Sequence, residues 1–159
     1  MKTIKGLILI ISLTLLAVSG VKANSNTDTI KEDIFTAIRS IDYTSINVLL
    51  SEGMDVNVTN KQGDSPLIVA SRIGNLRILD IILSHNPNID ARNKEGKTAL
   101  MIAAETGQLH VVEKLIEHDA DPSLKDNNGK TALNLAATYG HKHVRRFIKD
   151  GQQEPALAK

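Results

Sequence analysis

The chain has 159 residues, enough for one compact domain, with 42% apolar residues but only 3% aromatic ones and no Trp. Cys is absent, which excludes disulfides, thiolate metal sites, a catalytic thiol and a lipidated N-terminal Cys, and is compatible with export to an oxidising compartment. The formal charge is +1, but without Lys2, Lys5 and Lys22 of the N-terminal segment the count is 16 basic against 18 acidic residues, whereas a nucleic-acid-binding chain is expected to be basic.

Residues 1–23 combine a basic start at Lys2 and Lys5 with an apolar run from Leu7 to Val18. They end in Val21-Lys22-Ala23, small residues suited to cleavage after Ala23, which is the layout of a secretory signal peptide. The apolar run is shorter than the roughly 20 residues of a spanning helix. The mature chain is therefore expected to start near Asn24, exported and without a stable membrane anchor. Residues 24–30 are polar and rich in Asn, Ser and Thr, which predicts a flexible leader.

Helical periodicity begins at residue 31. Ile34, Phe35, Ala37, Ile38 and Ile41 predict one amphipathic helix, and Ile46, Val48, Leu49 and Leu50 a second, ended by Gly53. From residue 60 the same two-helix plan recurs every 33 residues. Gly63, Gly96 and Gly129 align, as do Leu67, Leu100 and Leu133, then Ala70, Ala103 and Ala136, then Gly74, Gly107 and Gly140. The units run over 31–59, 60–92, 93–125 and 126–151, followed by a tail at 152–159 that holds Pro155 and no periodic pattern.

Ser65, Thr98 and Thr131 are placed to cap the first helix of their repeats, with Pro66 at a first helical position where a missing N–H costs nothing. Second helices are predicted around Ile78, Leu79, Ile81, Ile82 and Leu83, and around Val111, Val112, Leu115 and Ile116. In the last repeat Arg145 and Lys149 replace the apolar Val112 and Ile116, so one face turns polar and the array is expected to stop there. The first unit lacks the glycine and the Thr-Pro-Leu turn and reads as a degenerate N-terminal cap.

No phosphate loop, nucleophile elbow or paired-carboxylate motif is present, and no catalytic residue, cofactor site or metal site is expected. His141 and His143 are two apart and do not share a helix face. His110, Glu113 and Glu117 do share one, but a solvated face that also carries Lys114 accounts for them without a metal. His85 and His118 follow second helices, where a His suits the negative helix end. Asp55, Asp90 and Asp121 recur in loops as turn-ordering residues. The basic cluster of His141, Lys142, His143, Arg145, Arg146 and Lys149 is read as the charged outer face of a terminal helix, and aromatic side chains for stacking bases are scarce.

The 33-residue period with Ser65-Pro66-Leu67-Ile68, Thr98-Ala99-Leu100-Met101 and Thr131-Ala132-Leu133-Asn134 at corresponding places resembles the ankyrin repeat, over roughly Ile34 to Gly151. Only one copy keeps the family's proline and none keeps its histidine. The resemblance implies an all-α solenoid of about four helix-turn-helix repeats, the first and last acting as caps. It also implies a non-enzymatic, monomeric module that binds a protein partner, and no nucleic acid, through a concave face of turn tips and first-helix edges. Carried onto this sequence, that face comprises Lys61, Gln62, Asp64, Arg72 and Ile73, then Lys94, Glu95, Lys97, Glu105 and Thr106, then Asn127, Asn128, Lys130, Thr138 and Tyr139. Ile73 and Tyr139 are the expected apolar anchors of an interface. Small exported bacterial proteins of this kind often accompany an exported enzyme or toxin as inhibitor, immunity factor or accessory, which implies a periplasmic location. The alternative is a secreted effector that binds a host protein.

Overall fold

The computed structural model describes residues 26–151, so the expected signal peptide at 1–23 and the tail at 152–159 lie outside the described residues. The repeats occupy the compact unit that begins at residue 31. Among the described residues there are eight helices and no strand: α1 (Asn26–Arg39), α2 (Tyr43–Ser51), α3 (Pro66–Ile73), α4 (Leu76–Leu83), α5 (Ala99–Thr106), α6 (Leu109–Glu117), α7 (Ala132–Thr138) and α8 (Lys142–Gly151). The start of α1 at Asn26 falls inside the segment expected to be a flexible leader. No Gly or Pro lies between Asn24 and Arg39 to stop a helix.

Each odd-numbered helix from α3 onward is started by the same device. The hydroxyl oxygens of Ser65, Thr98 and Thr131 each accept from the backbone N–H three residues on, at 3.3 Å in all three repeats. The family's histidine position is filled by Ile68 and Met101, which are buried, and by Asn134, which closes a capping box with Thr131. Gly74 and Gly107 end α3 and α5 in the left-handed region.

The helices stack in two rows, α3, α5 and α7 in one and α2, α4, α6 and α8 in the other. Ala70, Ala103 and Ala136 have no exposed surface at all, which is why a residue this small stands at that repeat position: the rows approach there. Leu67 and Leu100 are buried, whereas Leu133 is half-buried, with no further repeat covering it among the described residues. Capping is written in the same register. At the N-terminal end Thr36 occupies the position of Val69, Ile102 and Leu135, and Ser45 that of Ile78, Val111 and Val144. At the other end Asn134 replaces Met101, while Arg145 and Lys149 replace Val112 and Ile116, and all three are exposed.

Ile41 departs from its expected place on the buried stripe. It lies beyond the end of α1 with φ +58° and is 44% exposed, at the position Gly74 holds one repeat later. A β-branched residue in this region is strained by about 1–2 kcal/mol. Glycine there gives back about 0.5–1 kcal/mol in unfolded-chain entropy. Ile41→Gly is therefore expected to raise stability by up to about 1.5 kcal/mol, read as a higher denaturation midpoint with an unchanged slope.

Candidate protein-binding face

The turn tips are built on one repeated side chain. Asn60 Oδ1 accepts from the N–H groups of Gln62 and Asp64, Asn93 Oδ1 from those of Glu95 and Lys97, and Asp126 Oδ1 from those of Asn128 and Lys130. Each tip then bonds to the next. Lys94 N–H donates to Gln62 C=O at 3.2 Å, Asn127 N–H to Glu95 C=O at 3.0 Å, and Asn127 Nδ2 to Lys94 C=O at 2.9 Å. The tips thus form one continuous edge joined by backbone hydrogen bonds, which holds the side chains in register.

Lys61, Gln62, Lys94, Glu95, Asn127, Asn128 and Lys130 are exposed on this edge, and Arg72, Thr106, Thr138 and Tyr139 are exposed on the helix ends behind it. The other four expected face residues are placed differently. Asp64 is 1% exposed: Arg72 Nη1 donates to its Oδ2 and Asn93 Nδ2 to its Oδ1, both at 2.8 Å. Lys97 and Glu105 are half-buried and joined at 2.8 Å, with Glu95 adding a second carboxylate 2.9 Å from Lys97 Nζ. Ile73 is half-buried and packs on the core rather than standing free as an anchor. Of the two expected anchors, Tyr139 is the exposed one, at 54%.

Burial works against the charge on Lys97, yet its hydrogen bonds to Glu105 and then Glu95 prevail and hold its pKa above the usual lysine value. The hydroxyl of Tyr139 is likewise held above the usual tyrosine pKa, first by hydrogen bonding to Glu105 and then by that residue's charge. Glu105 thus ties the third and fourth repeats together, and its backbone C=O also accepts from His141 Nε2–H at 2.9 Å.

Sequence reasoning did not include Arg39, which lies 33 residues before Arg72 and lines the same hollow of about 360 Å³ with Asn60, Gln62, Asp64, Val69, Arg72 and Ile73. The repeat register alone carried that signal. The remaining candidates have local partners. His110 Nδ1 lies 3.0 Å from Glu113 on an exposed face, and His85 Nδ1–H donates to Ile81 C=O at 2.9 Å. Asp55 and Asp121 order their own loops by accepting from Asn57 and Ser123 N–H, each at 2.8 Å. Asp90 instead reaches the next repeat, accepting from Asp121 N–H at 3.1 Å. No helix among the described residues is long and apolar enough to cross a membrane.

The family model of ankyrin repeats in three copies matches residues 34–126 and 93–156. The chain belongs to the ankyrin-repeat family. Comparison with curated proteins gives no match. Ankyrin repeats are protein–protein interaction modules, typically without enzymatic activity, and the fold of this ankyrin-repeat chain is the corresponding helical solenoid.

Proposed function

We propose that this ankyrin-repeat chain is an exported, non-enzymatic binding module that holds a protein partner on its concave face, as inhibitor, immunity factor or accessory of an exported enzyme. The observation that carries the reading of the face is the bonded edge of turn tips, which presents ordered polar side chains beside the exposed ring of Tyr139. A preformed surface loses little entropy on binding, and a rigid aromatic is a frequent energetic centre of an interface. The layout of residues 1–23 supports export, with Asn24 as the mature N-terminus and the periplasm as the compartment.

The test is a photoreactive amino acid placed at Tyr139 or, as the opposite-face control, at exposed Glu117, in the full chain expressed in its native cells. The expected result is a discrete crosslinked protein from the first site alone. Crosslinks only from the second, or from neither, would move the interface off this face. Tyr139→Ala is expected to weaken the captured complex about tenfold or more while lowering the melting temperature by only a few degrees, because the ring is 54% exposed and the folded chain loses little beyond the hydroxyl's bond to Glu105. N-terminal sequencing of the envelope fraction tests the export part separately, and an intact Met1 there would overturn it.

A further inference from the structure

The Arg72 and Glu105 positions correspond across two repeats but are wired oppositely. In the third repeat the pair of Lys97 and Glu105 closes on itself, with side chains only 13% and 18% exposed and Glu95 adding a second carboxylate to the same ammonium. In the second repeat the acid is the buried member and the cation faces outward: the Asp64 side chain is 2% exposed and that of Arg72 46%. Asp64 is itself fixed from behind by Asn93 Nδ2, a bond that crosses the repeat boundary.

A guanidinium has five N–H donors in a rigid fork. The bond recorded for Arg72 among the described residues uses one of its nitrogens, Nη1, on Asp64. The rest of the fork is directed by a buried carboxylate, at a hollow with Val69 and Ile73 as its apolar wall and Arg39 among its lining residues. Exposed Lys61 and Lys94 stand on the adjoining tips. Across the face, six basic residues (Arg39, Lys61, Arg72, Lys94, Lys97 and Lys130) stand against four acidic ones (Asp64, Glu95, Glu105 and the buried Asp126). The described residues as a whole have 15 basic and 17 acidic side chains, so positive charge is concentrated where the tips are.

We propose that the hollow between the first two repeats is a carboxylate subsite in which Arg72 receives an Asp or Glu side chain from an acidic segment of the protein partner. The proposal rests on the concave-face reading and gives the partner a chemistry. Asp64 neutralises part of the Arg72 charge but fixes its direction, so the ligand meets an oriented fork and not a mobile cation. The methylenes of an incoming Glu lie against Val69 and Ile73, and the flanking Lys61 and Lys94 favour further acidic residues on either side.

The experiment is selection of a displayed library of random peptides, about twelve residues long, on the full chain, followed by sequencing of the enriched pool. The expected result is enrichment of Asp and Glu over the starting library, lost when selection is repeated on Arg72→Gln. Individual enriched peptides should bind Arg72→Lys about tenfold more weakly, since the charge and the contact with Asp64 persist while the fork is gone. The melting temperature of Arg72→Lys separates this loss from unfolding. Enrichment without acidic bias, or acidic enrichment that survives in Arg72→Gln and Arg72→Lys, would overturn the subsite. Peptides that lose binding in Tyr139→Ala but not in either Arg72 variant leave the concave face standing and remove only the subsite. Peptides indifferent to all three remove both.

Discussion

Leu100→Ala is expected to lower the stability of the repeat body by about 2–5 kcal/mol. Leu100 is 1% exposed in the first turn of α5, which packs on α3 on one side and α7 on the other. Truncation leaves a hole facing both neighbours, and the alanines at 70, 103 and 136, already without exposed surface, hold the helices too close for a compensating slide. In a stacked array each interface contributes to cohesion with its neighbours only, so a defect in the middle repeat weakens two interfaces at once. Thermal denaturation should show a melting temperature lower by about 8–20 °C. Leu133→Ala, at the same repeat position but half-buried at the open end, should cost clearly less. Equal losses at the two sites would contradict the stacking order.

The residues that made the fold legible are those whose repeat position leaves a single physical choice. Glycine at the ends of α3 and α5, alanine at the contact between rows, and a hydroxyl three residues before a free N–H each recur at a spacing of 33 because each answers the same local demand. The end repeats were less legible because they meet half of those demands. Ile41 looked like one more apolar residue on a helical stripe, yet it takes the left-handed conformation that glycine takes elsewhere. Periodicity reports which face a residue would occupy if the helix continued, and says nothing of where it stops. The early start of α1 was hidden for a related reason: Asn24 to Thr29 is polar enough to read as a leader, and polar composition does not prevent a helical turn.

The candidate face divides along the same line. Tip residues such as Lys94 and Asn127 follow from the register, since their backbone is committed to the edge and their side chains point away from the core. The burial of Asp64 does not follow, because the corresponding positions hold Lys97 and Lys130, and a site that accepts either charge looks like solvent-facing surface. What resolves it lies eight residues on: Arg72 where the acid is Asp64, and Glu105 where the base is Lys97. An exchange of sign kept opposite across one spacing is the trace of a buried pair, and it was present in the sequence. Ile73 fails for a different reason, since half-burial depends on how the helix end lies on its neighbour and not on the spacing of apolar residues.

Gly107→Ala is expected to cost about 2–3 kcal/mol, combining two penalties with separate origins. The first is backbone strain: Gly107 has φ +76°, where a Cβ costs about 1–2 kcal/mol. The second is collision, because a Cβ at this site would lie 2.5 Å from Nδ1 and 2.7 Å from Cε1 of His141. The ring would have to move off, breaking the Nε2–H bond to Glu105 C=O and with it a link between the third and fourth repeats worth about 1 kcal/mol. The array supplies its own control. Gly140 occupies the same repeat position with φ +77°, but among the described residues a Cβ there meets nothing within 4 Å. Gly140→Ala should therefore show the backbone term alone. In the double variant Gly107→Ala with His141→Ala the collision is absent and the bond already lost, so its cost should fall short of the sum of the single variants by about 1 kcal/mol. Additive costs, or equal costs at Gly107 and Gly140, would show that His141 does not close over the preceding repeat in solution.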